Sequence, residues 1–152
     1  MQLSDDLKKI KQVIFFNDGS KKDKELTFTH AVKLILQRLS LSPFKLGGIA
    51  PTFNSFFSNR EVSHRHFIIG DFLVVKNSPE RFDENMTLKE DYDFTLQHIK
   101  SYGGVIRNDD ILCNFEHYTN SGGAVSIRTT DEEQKNILYL KNKWGDLIRV
   151  VS

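Results

Sequence analysis

Apolar residues at Ile10, Val13, Ile14, Phe15 and Phe16, closed by the turn formers Asn17, Asp18, Gly19 and Ser20, predict a strand over 10–16. The charged stretch 21–25 reads as a linker. Ala31, Val32, Ile35, Leu36 and Leu39 recur at helical spacing, so 27–39 reads as a helix with Thr27 or Thr29 as its N-cap. Pro43 ends that prospect, and 44–50 reads as a strand carrying Gly47 and Gly48. Residues 52–63 have no period and read as a loop anchored by Phe53, Phe56 and Phe57. The most apolar stretch, 67–75, is interrupted at Gly70 and Asp71, which predicts two strand pieces around a bend. Leu88, Tyr92, Leu96, Ile99 and Tyr102 form one face of a helix over 88–102. Thr87 and Glu90 stand at capping-box spacing at its start, and Gly103 stands at its end. Strands at 105–106 and 111–118 flank a turn at Asn108, Asp109 and Asp110. Residues 120–123 are a polar loop. Thr130 and Glu133 open a last helix that runs to Trp144 and stops at Gly145, and 147–151 reads as a terminal strand. This alternation predicts an α/β or α+β fold with a mixed sheet.

Composition narrows the function classes. A chain of 152 residues with 39% hydrophobic and 27% charged residues can bury the core of one globular domain. A net charge of +1 provides no global field for nucleic acid or anionic lipid. The single cysteine, Cys113, excludes an intramolecular disulfide and leaves a zinc-finger cluster unsupported. No apolar run approaches the roughly 20 residues that span a bilayer, and residues 1–11 are charged where a signal peptide is apolar. A cytoplasmic protein without a membrane partner is expected.

Several groupings have chemistry to offer. Glu90 and Asp91 are adjacent carboxylates at a predicted helix start, where unpaired N–H groups and the helix dipole stabilise negative charge. They read as a capping box with a first-turn acid; Asp91 in a cleft also reads as a general base. His117 follows a predicted strand and is either a metal ligand or a hydrogen-bonded structural residue. Asp5 and Asp6 are hard ligands suited to Mg²⁺ or Mn²⁺, or solvated terminal charges. Gly70 beside Asp71 lets a ligand approach the backbone, or marks a bulge. Gly122 and Gly123 can offer N–H groups to a phosphate, or make a plain turn. His64, Arg65 and His66 read as a solvated basic strand edge.

The order of these features resembles a known family. Phe82 to Asn85, Leu88 to His98, Tyr102 to Arg107 and Tyr118 to Ala124, matched across 67–144, resemble the TET-associated glycosyltransferases. These are GT-A-type enzymes of phages and eukaryotes linked to modified pyrimidines in DNA. The resemblance implies that Asp91, following Glu90, is the base, and that Gly70 and Asp71 contact donor and acceptor. It implies a divalent metal, Mn²⁺ or Mg²⁺, held by Asp5, Asp6 and His117, and a nucleotide-sugar donor such as a UDP-sugar. The acceptor is then a hydroxymethylated pyrimidine in DNA, with Phe53, Phe56 and Phe57 either stacking on it or packing in the core. Gly122 and Gly123 join the substrate-binding set.

The family pattern begins with a nucleotide-binding half that has no counterpart before Asp5, and Ser4 stands where an acid is expected. The expectation is therefore a single partial domain, 1–152, of a GT-A-like three-layer α/β fold truncated at its N-terminus. A partner chain would supply the nucleotide-binding half, in the cytoplasm of a bacterial or phage-infected cell. The contrasting expectation is a catalytically inactive fragment or interaction module that retains the acceptor-binding half.

Overall fold

The computed structural model describes residues 1–3, 6–115 and 130–147. Strand β1 (Gln2–Leu3) precedes a hairpin of β2 (Leu7–Phe15) and β3 (Lys21–Glu25). Helix α1 (Phe28–Ser40) leads to β4 (Leu46–Ile49), a single 3-10 turn (Ser55–Phe57), β5 (Val62–Ser63) and β6 (Phe72–Val75). Helix α2 (Glu90–Tyr102), β7 (Ile106–Asn108), β8 (Ile111–Phe115) and helix α3 (Thr130–Trp144) follow, with a 3-10 turn at Gly145–Leu147.

Five strands form a mixed sheet in the order β1-β6-β4-β7-β5, in which only β4 and β7 run parallel. The strands β3-β2-β8 form a second, antiparallel sheet. The period-two alternation of a strand assigns the faces of the five-stranded sheet. Ile49, Phe72, Val74 and Ile106 join Ala31, Ile35 and Leu39 of α1, together with Ile10, Ile111 and Cys113 of the second sheet. Leu46, Leu73 and Val105 pack on the other side with Ile68 and with Phe94 of α2. The fold is α/β, with α1 and α2 on opposite faces of the mixed sheet. Among the described residues no helix is long and apolar enough to cross a membrane.

The strand–helix interface has no room at Gly48. A Cβ there would collide with Cγ2 of Ile68, whose side chain is wholly buried. Gly48→Ala is expected to destabilise the fold by about 1–3 kcal/mol through overpacking, seen as a lower urea midpoint.

Several expectations are corrected. Residues 21–25 form a strand and not a linker. The Asn17–Ser20 turn, with Gly19 at φ 89° and Asp18 accepting from the Ser20 N–H at 2.9 Å, returns the chain antiparallel to β2. Backbone pairing needs no apolar side chain, and all five residues of β3 are exposed. Of 67–75, only Phe72–Val75 is strand; Ile68 instead donates its N–H to Thr95 Oγ1 of α2 at 3.1 Å. The capping box at α2 does not form. Lys89 takes the N-cap position in the left-handed region at φ 59° without a side-chain cap. The Thr87 and Leu88 N–H groups donate to Asn136 Oδ1 of α3 instead, each at 3.2 Å. Leu147 lies in a 3-10 turn rather than a strand, and the rest of 147–151 lies outside the described residues, as do 116–118 and 120–123.

Helix α3 docks through polar contacts. Wholly buried Asp93 accepts from Trp144 Nε1 and Lys143 Nζ, both at 2.8 Å, and from Gln97 Nε2 at 2.6 Å. Asp83 accepts from Lys143 Nζ at 2.9 Å and from the Tyr139 hydroxyl at 2.7 Å. The Lys143 hydrogen bond, aided by Tyr139 and the Asn85 N–H, outweighs burial and holds the Asp83 carboxyl at about 2. A depressed carboxyl stabilises the fold above its unfolded value of 3.8, and that stability is lost as pH falls toward about 2. Trp144 is the only tryptophan, so an acid titration of its fluorescence should show α3 loosening within that window.

Candidate functional site

A polar cleft of about 410 Å³ opens at the N-terminus of α2. Its walls come from Gln2, from Gly70 and Asp71 just before β6, and from residues 87–91. The chain brings these together by pinning 67–70 along the first turns of α2. Thr95 Oγ1 donates to the Asp91 carbonyl at 2.9 Å while accepting from the Ile68 N–H. The rings of Phe67 and Tyr92 stack with centroids 3.9 Å apart. The Gly70 N–H then donates to Asp91 Oδ2 at 3.0 Å, and the Gly70 carbonyl accepts from Gln2 Nε2 at 2.6 Å.

Asp91 is half-buried, and its second oxygen, Oδ1, accepts from the Tyr92 N–H at 3.0 Å. Burial pushes its carboxyl above the ordinary value, against the Gly70 N–H, and the neighbouring Glu90 charge adds to the rise. A Cβ on residue 70 would lie 3.6 Å from Asp91 Oδ2, at ordinary van der Waals contact with the carboxylate. Glu90 is exposed on the cleft wall. Four of the residues singled out from the sequence, Gly70, Asp71, Glu90 and Asp91, thus meet in one cavity.

Asp6 lies in an exposed turn between β1 and β2. Asp5, His117, Gly122 and Gly123 lie outside the described residues. Among the described residues no three His, Cys, Asp or Glu side chains converge on a point that could hold a metal ion. The described residues alone therefore do not compose the expected metal site. No protein-family model matches the chain, and neither a curated protein nor a solved structure matches it.

A second polar centre went unread in the sequence. The 108–110 turn is a buried hub, with Asn108, Asp109 and Asp110 exposed by 0, 6 and 1%. Arg38 of α1 reaches both Asp110 oxygens, at 2.7 and 2.9 Å, and donates to Asn108 Oδ1 at 3.0 Å. Gln12 Nε2 donates to Asp110 Oδ2 at 3.0 Å, and Asn108 Nδ2 donates to the Gly48 carbonyl at 2.7 Å. Asp109 pairs with Arg60 and Arg107. One signal was available: Arg38 falls seven residues after Ala31, on the apolar side of α1, and a charge there calls for a buried partner.

Chemically, the cleft offers a half-buried carboxylate whose oxygens accept from the Gly70 and Tyr92 N–H groups. Further lone pairs remain for a hydroxyl proton.

Proposed function

We propose that the cleft at the start of α2 serves glycosyl transfer from a nucleotide sugar to a hydroxyl, with Asp91 as the base. The observation that supports this most is the position of Asp91. A carboxylate half-withdrawn from water and fixed by the Gly70 N–H is poised to accept a proton from an attacking hydroxyl. Burial makes it a better base than a solvated aspartate. Gly70 and Asp71 form the opposite wall, where donor and acceptor would be held in line.

The reading takes the fold as GT-A-like, and the acceptor as a hydroxymethylated pyrimidine of DNA, flipped out or supplied single-stranded. It calls for Mn²⁺ or Mg²⁺ to neutralise the departing diphosphate, with Asp6 as the described member of the Asp5, Asp6 and His117 set. Gly122 and Gly123 would serve the substrate phosphates.

The test is transfer from a UDP-sugar to a hydroxymethylated oligonucleotide with Mn²⁺, using the wild type, Asp91→Asn and Glu90→Gln. Transfer is expected from the wild type, most of it kept in Glu90→Gln and lost in Asp91→Asn. Equal rates in wild type and Asp91→Asn would sink the base assignment.

A further inference from the structure

A second cavity, of about 210 Å³, lies beyond the carboxyl ends of β4 and β7, the one parallel pair of the sheet. In open α/β sheets that position is where ligands collect. Its wall carries Arg60 and Arg107, which share a single carboxylate: Arg60 Nε donates to Asp109 Oδ2 and Arg107 Nε donates to Asp109 Oδ1. Two guanidiniums on one acid leave a local positive charge. Arg60 is 57% exposed, with further N–H donors in the planar fork that suits phosphate oxygens.

The rim is aromatic and fixed. Lys21 Nζ donates to the carbonyls of Ser55 and Ser58 at 2.6 and 2.9 Å, and Ser55 Oγ donates to Asp23 at 2.8 Å. The Phe56 N–H donates to Asn54 Oδ1 at 3.0 Å, and Ser58 Oγ donates to the Asp109 carbonyl at 2.8 Å. This anchored turn presents Phe56 and Phe57 edge-to-face, 74% and 63% exposed, and Phe57 lines the cavity. Phe53 differs: it packs beside Val13, Ala50 and Leu112 under the Lys11 ammonium. Phenyl rings held outward by a hydrogen-bonded turn, beside a cationic floor, match a ligand with a flat ring and a phosphate.

We propose that this cavity binds a nucleotide unit, its phosphate on Arg60 and Arg107 and its base against Phe57. The site is separate from the Asp91 cleft and does not depend on glycosyl transfer. The unit is either a free nucleotide or one residue of a single strand, and calorimetry on the whole chain separates the two. The probes are thymidine, inorganic phosphate, dTMP and an eight-residue thymidine oligonucleotide.

Wild type should bind dTMP at least tenfold more tightly than thymidine or inorganic phosphate. Arg60→Ala should weaken dTMP about tenfold or more. Phe57→Ala should weaken it about fivefold or more while leaving phosphate binding unchanged. A tighter oligonucleotide identifies a strand, and the one phosphate held by the pair then gives a log–log salt slope of about −0.7, which Arg60→Ala lowers. Equal affinities identify the free nucleotide. Phe57 is exposed, so its variant should keep the wild-type melting temperature. Asp91→Asn should leave dTMP binding unchanged whatever it does to transfer. Failure of the wild type to bind either dTMP or the oligonucleotide, or unchanged binding in both cavity variants, would overturn the site.

Discussion

Arg38→Ala is expected to lower the unfolding free energy by about 3–5 kcal/mol, read from urea denaturation followed by Trp144 fluorescence. Truncation would strand the Asp110 carboxylate, whose side chain is 1% exposed, leaving it the Gln12 amide as a side-chain donor. Asn108 Oδ1 would lose the same guanidinium. A loss of this size is a large fraction of the 5–15 kcal/mol typical of a domain. The contact of Arg38 with the exposed Glu61, at 3.6 Å, contributes little, so Glu61→Ala should shift stability by less than about 1 kcal/mol. Replacing both members of the pair, as in Arg38→Met with Asp110→Leu, should be far milder than Arg38→Ala, because no charge remains buried alone. An Arg38→Ala loss below about 1 kcal/mol would mean that water reaches Asp110.

What could be read from the sequence was local. Helix α1 was legible because its apolar spacing and its cap lie within one segment; Thr27 Oγ1 accepts the His30 N–H at 3.2 Å, as that residue type at that place predicts. The end of α2 was legible for the same reason, since Gly103 adopts φ 86°. Strand β3 was not, because a hairpin arm set by its turn can be charged throughout. The start of α2 misled because Asn136, some fifty positions away, takes the N–H groups before the helix. The candidate site shows the same division. Gly70 and Asp91 each stood out as a residue type in a local pattern, yet their contact spans 21 positions and became visible only in the fold. The Arg38–Asp110 pair spans 72, and the sequence marks only that a charge sits on an apolar helix face.

Asp91→Asn is expected to lower transfer by about 10²–10⁴-fold while leaving stability unchanged or raised. The two readings of Asp91 divide on that second measurement. If the carboxylate were only an anchor for the Gly70 N–H, its charge would strengthen the hydrogen bond and its loss would destabilise the fold by about 1 kcal/mol. Its carboxyl, however, lies above the ordinary value of 3.8, with burial as the first cause. A raised acid stabilises the fold while protonated, below the unfolded value, and that contribution is lost as pH rises through the folded value. At neutral pH the charge of Asp91 is therefore a net load on the fold. Asparagine removes the load and can present its one carbonyl oxygen to the Gly70 N–H, while the Tyr92 N–H keeps the Lys89 carbonyl at 3.1 Å. Transfer should rise with pH as Asp91 loses its proton, with an acid limb above 3.8, and Asp91→Asn should abolish that limb. A melting temperature that falls in Asp91→Asn, with transfer intact, would return the residue to the role of a helix-start anchor.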